Sequence, residues 1–256
     1  MQRRSFIELM GATTMTASAA APKAPGFYLL EQYFLKNGTQ GPRLATFLRE
    51  GRMEAAARLS LPGPRIVLEA LIAPHMPQVA VVTPYASLEE MRGARARLAA
   101  DSKCRAALAQ WEADGEAPYE SYAETLLEAT PYAPALEVAT PADKPPRVFE
   151  LRVYHSPTER QLVALHERFA GPEIQIFHRS GIHPVLYSST LIGPAKPNLV
   201  YLTPFADLAA REKAWAAFGA DPEWVKVRAE SIAKHGQISS ISQIALYKAA
   251  AYSPIR

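Results

Sequence analysis

The chain contains a single cysteine, Cys104, among 256 residues. No intramolecular disulfide can form, and no cysteine-based metal site can be assembled. His-x-x-x-His and His-Glu-x-x-His spacings are missing, so no helical pair of histidines is offered to a metal. Gly-rich phosphate loops, a G-x-S-x-G elbow and CxxC pairs are missing too, which removes the common nucleotide-cradling and nucleophile motifs. Charge of one sign is scarce: 28 Lys and Arg stand against 25 Asp and Glu, a net charge of +3. No basic block follows the first few residues, so there is no electrostatic footprint for nucleic acid. No apolar run reaches the ~20 residues of a membrane span. No metal and no cofactor is expected, and four histidines of the second half (His166, His178, His183, His235) share no ligand spacing.

What is present begins with an address. Residues 1–21 carry the pair Arg3-Arg4, a short and mildly apolar run, and Ala17-Ser18-Ala19. That order is a charged n-region, an h-region and a cleavage pattern. Arg3-Arg4-Ser5-Phe6-Ile7 resembles a bacterial twin-arginine signal. The expectation is export to the periplasm with cleavage after Ala19, residues 1–25 forming a signal peptide and lead.

The most informative feature is an internal echo. Val82-Thr83-Pro84-Tyr85-Ala86-Ser87-Leu88 returns as Leu202-Thr203-Pro204-Phe205-Ala206-Asp207-Leu208, 120 residues on. Ala100-Asp101 returns as Ala220-Asp221 at the same offset. Self-similarity at one fixed spacing reads as a unit written twice.

The second unit is the clearer. Val148 to Tyr154 alternates apolar and polar residues, a half-buried strand. Ser156-Pro157-Thr158-Glu159 reads as a capping box with Ser156 at the N-cap, and the helix ends by Gly181. Pro184–Ile192 and Leu199–Leu202 form a hairpin. Helices then start at Asp207 and Asp221, and Gln237–Tyr247 is the last strand. The first unit follows the same order. Strand Gly26–Leu35 precedes helix Thr39–Arg58; the hairpin is Arg65–Ile72 with Gln78–Val82. Ser87 and Asp101 cap two helices, and strand Tyr119–Ala129 closes the unit. Pro84 and Pro204 read as strand exits. Residues 131–146 hold five prolines and form a semi-stiff linker. The predicted fold is α+β: two tandem ferredoxin-like β-α-β-β-α-β domains, 26–130 and 147–252.

Several motifs of the second unit resemble the NIPSNAP family: Phe149-Glu150-Leu151-Arg152-Val153-Tyr154, Gly181-Ile182-His183-Pro184-Val185, Val200-Tyr201-Leu202 and Ala220-Asp221-Pro222-Glu223-Trp224. The resemblance covers about residues 147–250. The first unit matches more loosely. Leu30-Glu31-Gln32-Tyr33 stands at the family's Leu-Arg-x-Tyr, and Asp101-Ser102-Lys103-Cys104 stands where Asp-Pro-Glu-Trp is expected. The resemblance implies a dimeric α/β barrel: two sheets face to face with helices outside. Here both sheets belong to one chain, so one molecule could close its own barrel.

Glu150, Arg152 and Tyr154 share one strand face. Two readings stand: a polar cluster inside the barrel, or a salt-bridged surface between sheets. His183, Tyr187 and Tyr201 are candidates for the same cavity. Trp111, Trp215 and Trp224 read as core anchors on helices. Cys104 reads as a small, partly buried side chain, since no Ser/His partner motif accompanies it. The leading expectation is a module that binds a small apolar or anionic ligand, or a protein partner or further copy, through the barrel. The alternative is a cofactor-independent monooxygenase or isomerase using Arg152, Tyr154 and His183. A haem-binding barrel ranks below both.

Overall fold

The computed structural model describes residues 24–113, 115–136, 139–141 and 143–256; the twin-arginine stretch and the expected cleavage point lie outside the described residues. Eight strands are present: β1 Phe27–Phe34, β2 Ile66–Ile72, β3 Gln78–Tyr85, β4 Ser121–Ala129, β5 Val148–His155, β6 Leu186–Ile192, β7 Asn198–Phe205 and β8 Ile241–Ala249. They close a barrel in the order β1-β3-β2-β8-β5-β7-β6-β4, every pair antiparallel.

Each half contributes four neighbouring strands, and the halves meet edge to edge at two seams. At one seam Glu69 pairs Lys248; at the other Glu128 pairs Ser189. Each seam carries one register shift. The resemblance implied sheets lying face to face. The outer strands of the two sheets also share hydrogen bonds and close the barrel, so among the described residues each of its strand edges has a partner.

Alternation along the strands decides the two faces. Tyr28, Leu30, Ile66, Leu68, Val82, Leu127, Phe149, Val200, Leu202 and Tyr247 point inward and form one core cluster, with Leu151 and Val153 against it. The opposite parity lies under helices. In the first half these are α1 Gln40–Thr46, α2 Glu54–Arg58, α3 Leu88–Ala100 and α4 Ser102–Glu112. In the second they are α5 Glu159–Arg168, α6 Ile174–Arg179, α7 Leu208–Ala220 and α8 Pro222–His235. A π-helical stretch interrupts the long helix of each half, Phe47–Met53 between α1 and α2 and Phe169–Glu173 between α5 and α6. Pro172 lies in the latter, beside a non-helical Gly171.

Three local expectations change. Thr158, not Ser156, caps α5, accepting from the Gln161 N–H. Ser156 is fully buried and donates instead to the Ile238 carbonyl at 2.6 Å. Strands β3 and β7 run through Pro84 and Pro204 rather than ending there. Their second neighbours stop pairing at Val82 and Leu202, so each proline sits where one side of the strand needs no donor. Ser87, by contrast, caps α3 as expected, accepting from the Glu90 N–H at 3.1 Å, while the Glu90 carboxylate accepts from the Ala86 N–H, one residue before the cap. The proline-rich stretch is tied down: Thr130 N–H donates to Tyr187, and Thr140 N–H to Pro254 near the C-terminus.

Candidate functional site

Glu150, Arg152 and Tyr154 share a face, but it is the outer one. Their inward-facing neighbours are Phe149, Leu151 and Val153. Of the two readings, the polar cluster inside the barrel is therefore set aside. The physical reason is the supply of partners: helix α7 presents polar groups to the outer face, while the barrel interior is apolar. The Glu150 carboxylate is fully buried. It accepts from Arg152 Nε, from Arg211 Nε at 2.5 Å and from Trp215 Nε1 at 3.0 Å. The Arg152 guanidinium lies 3.6 Å over the Trp215 ring, a cation–π contact in a dry setting. Its Nη1 donates to the Tyr154 hydroxyl at 3.0 Å, which also accepts from the Tyr201 hydroxyl at 2.7 Å. Burial raises the Tyr201 hydroxyl well above its ordinary range.

Four of the six candidates, Glu150, Arg152, Tyr154 and Tyr201, thus form one hydrogen-bonded chain. Tyr187 packs beside it, 6.0 Å from the Tyr201 ring, with a buried hydroxyl lacking a partner among the described residues. His183 is not part of it: it is exposed and stacks on His178 at 5.0 Å. Arg152 already holds a carboxylate and a phenol, so it offers no free fork to an anion.

Sequence reasoning missed Arg211, four residues before Trp215 on the same helical face. It also missed Glu173 in the second π-helical stretch. This carboxyl is buried, and burial pushes it up to about 7 although Arg168 donates to it at 2.7 Å. A third group links Tyr132, His166 and Ser189. The Tyr132 hydroxyl lies 2.7 Å from His166 Nδ1, and Ser189 Oγ lies 2.8 Å from Nε2. Burial lowers the His166 ring below its ordinary value.

One end of the barrel holds a cavity of about 320 Å³. Its walls are chiefly Leu30, Leu127, Leu151, Val153, Val200 and Ala245. Gln32, Thr125, Thr190, Asn198 and Gln243 add polar points, and among the described residues no charged side chain lines it. Asn198 is fixed from both sides: its amide donates to Ala195 O at 2.8 Å and its Oδ1 accepts from Thr190 N–H at 3.0 Å. Tyr247 donates to Gln78 Oε1 at 2.5 Å, and Gln32 donates to the same oxygen at 3.3 Å. A concave apolar chamber with a few oriented amides can enclose a small molecule of low polarity. Among the described residues no group of three or more His, Cys, Asp or Glu side chains converges as a metal site.

A closed eight-stranded antiparallel barrel with helices outside and a chamber at one end defines the class: a closed α+β barrel. A candidate monooxygenase from Lactobacillus acidophilus NCFM superposes with a TM-score of 0.53 at 10% identity, covering 88% of this chain and 93% of its own. Another from Fusobacterium nucleatum gives 0.54 at 8% identity, covering 88% and 93%. At these identities the likeness is one of fold alone. Residues 149–254 match the NIPSNAP family. A NIPSNAP family protein from Agrobacterium tumefaciens strain C58 aligns at 23% identity over 43% of this chain and 94% of its own, with a TM-score of 0.38. No curated protein matches the sequence. Among the described residues no helix is long and apolar enough to cross a membrane.

Proposed function

We propose that this protein is an exported, tandem NIPSNAP-type barrel that holds a small apolar ligand in the chamber at the barrel's end. The carrying observation is the chamber itself: about 320 Å³, walled by aliphatic side chains, with amides and hydroxyls as its polar points. Such a lining favours an apolar ligand over an anionic one, because no cation is present to offset the desolvation of a charge. The tandem reading, units 26–130 and 147–252 joined by 131–146, is supported by the 120-residue echo and by equal strand order in the two halves. The export reading is supported by Arg3-Arg4 and the small residues that follow. Glu150, Arg152, Tyr154 and Tyr201 serve in this reading to fasten α7 to the sheet.

The alternative, a cofactor-independent monooxygenase or isomerase, is less well served by the chamber. Arg152 and Tyr154 lie behind its wall and His183 lies at the surface. The titratable group lining it is Tyr247, which burial pushes up to about 12, far from the range that suits acid–base catalysis near neutrality.

The test uses the protein from its own host, by native mass spectrometry, and then titration with the apolar fluorophore 1-aminoanthracene. The expected outcome is a retained small molecule, or uptake of the fluorophore, that Leu127→Trp abolishes by filling the chamber. Wild-type protein that retains nothing and takes up no fluorophore overturns the reading. The mass of the mature chain tests export at the same time: it should begin at Ala20.

A further inference from the structure

A second cavity, of about 280 Å³, lies in the first half between the outer face of the sheet and helices α3 and α4. Its position is defined by comparison across the molecule. Asp101 and Asp221 cap α4 and α8 in the same way, each accepting from the N–H three residues on, that of Cys104 and that of Trp224. Ser87 and Asp207 likewise cap α3 and α7. Eight residues beyond those caps stand Arg95 and Trp215. The second half fills its layer here with rings: Phe218 packs on Trp224 at 4.3 Å and on Trp215 at 5.7 Å. The first half has Cys104, Leu98 and Arg95 at the corresponding places, and these line the cavity.

One further substitution points to a ligand rather than to loose packing. Strands β3 and β7 end at Tyr85 and Phe205. The first half therefore carries an additional hydroxyl, and it belongs to the cavity lining. Tyr85 is 3% exposed. Its hydroxyl makes no hydrogen bond among the described residues and is not one of the fully enclosed polar atoms, so the oxygen opens onto the cavity. Charge adds a direction. Arg52 is held by Glu31 at 2.7 Å and Arg95 by Glu124 at 2.9 Å. Arg105 lines the same cavity, exposed, with no ion pair among the described residues. Three arginines against two glutamates leave one cation unmatched.

We infer that this cavity is a binding site for a planar aromatic carboxylate of one or two rings. The ring occupies the space that indole and phenyl groups fill in the second half. The Tyr85 hydroxyl donates to the ligand, and Arg105 receives its carboxylate at the rim. The site is separate from the chamber inside the barrel: the sheet lies between them.

The experiment is titration of the full chain with 2-naphthoate, followed by calorimetry and by the rate at which a thiol reagent modifies Cys104, the chain's single cysteine. Binding should slow that modification at least fivefold. Cys104→Trp, which installs the second half's ring, should abolish binding; Tyr85→Phe and Arg105→Ala should each weaken it about tenfold. Neutral 2-methylnaphthalene should bind at least tenfold more weakly than the carboxylate. Leu127→Trp, inside the barrel, should leave 2-naphthoate binding unchanged, which keeps this site distinct from the apolar chamber. Absence of binding at millimolar 2-naphthoate overturns the inference. So does equal affinity in wild type and Tyr85→Phe, a variant that keeps the fold even if Cys104→Trp does not.

Discussion

The two halves cover their sheets with helices in the same order, yet they fill the space between from opposite ends. In the second half the rings gather under α7 and the start of α8, where Trp215 and Phe218 meet Phe177 and Trp224 packs on Phe218. In the first half they gather at the far end of α4 and the start of β4. There Trp111 stacks on Phe47 at 4.5 Å and meets Tyr33 and Tyr119, with Tyr122 beside them. At a 120-residue offset from Trp111, Tyr119 and Tyr122 the second half has Ser231, Ser239 and Ser242, and Ser239 and Ser242 line a pocket of about 240 Å³. The rings thus sit at different places in the two halves, and cavities remain beside both sets: one of about 290 Å³ against Phe47 and Trp111, and the 240 Å³ pocket against Phe218 and Trp224. A helix–sheet layer must exclude water from most of its apolar surface, but the rings that do so can be placed at either end without changing strand order.

The buried charges differ in the same spirit. Glu31 holds one arginine, Arg52, through both oxygens at 2.7 and 2.9 Å, and accepts from Tyr33 and Tyr122. Glu150 holds two arginines and an indole. Removing Glu150 takes the carboxylate from two guanidiniums, although Arg211 keeps its exposed partner Glu212, so Glu150→Ala should cost about 4 kcal/mol. Glu31→Ala strands one and should cost about 3 kcal/mol. Urea titration of both variants checks the pair, and equal losses would break the comparison.

The two layers should also answer pH with opposite sign. Burial works to raise Glu31, but the charge of Arg52 and the bonds from Arg52, Tyr122 and Tyr33 outweigh it and hold the carboxyl below its ordinary value. Its stabilisation is present above the unfolded value and fades as pH falls through the folded one. Glu173 is the reverse case: burial pushes it from 4.5 up to about 7. The folded state then prefers the protonated form, and stability drops as pH rises from about 4.5 to 7, levelling off above. The shift corresponds to roughly 3 kcal/mol. Glu173→Gln should remove that slope, gaining on the wild type between pH 5 and 8 in chemical denaturation; parallel curves would show that Glu173 is ionised throughout.

Much of this was legible in the chain. The echo around Thr83-Pro84 and Thr203-Pro204 located β3 and β7, and alternation along Val148–Tyr154 separated Phe149, Leu151 and Val153 from Glu150, Arg152 and Tyr154. What alternation cannot say is which of two faces looks into a barrel. An apolar stripe suits either a barrel core or a helix-covered layer, and a polar stripe becomes tolerable inside when partners arrive from elsewhere. Those partners, Arg211 and Trp215, come from a helix some sixty residues later in the chain. Glu173 was hidden for a related reason. Its burial follows from the π-helical stretch around Gly171 and Pro172, a local irregularity that helical spacing does not report.

The ring arrangement can be probed by exchanging residues across the halves. Trp224→Cys copies the first half's residue into the second and removes an indole that packs on Phe218 and lies 5.0 Å from the Arg168 guanidinium. It should cost about 2 kcal/mol, below the usual range for a fully buried tryptophan because Trp224 is only half-buried. The reciprocal Cys104→Trp enters a cavity of about 280 Å³ and should cost less than about 1 kcal/mol. Thermal denaturation of the two variants gives the asymmetry directly. If Cys104→Trp is the more damaging, the two cap positions do not frame equivalent space.

The smallest effect is expected for Tyr85→Phe, at the end of β3, and it is read against the same position of β7. Tyr85 and Phe205 are both buried, at 3% and 4% exposure, and differ by one oxygen. In the first half that oxygen has no partner among the described residues, so Tyr85→Phe removes a polar atom without orphaning another and should leave stability within about 0.5 kcal/mol of wild type. In the second half the space beyond Phe205 belongs to a ring-filled layer. Phe205→Tyr would bury a hydroxyl there without a partner, at a cost of roughly 1–3 kcal/mol. Chemical denaturation of this pair isolates the hydroxyl from ring volume, which the larger exchanges cannot do. A neutral Tyr85→Phe together with a costly Phe205→Tyr places the tolerance for a polar atom in the first half alone. Two neutral outcomes would mean that the second layer admits water and that its rings seal less than their packing suggests.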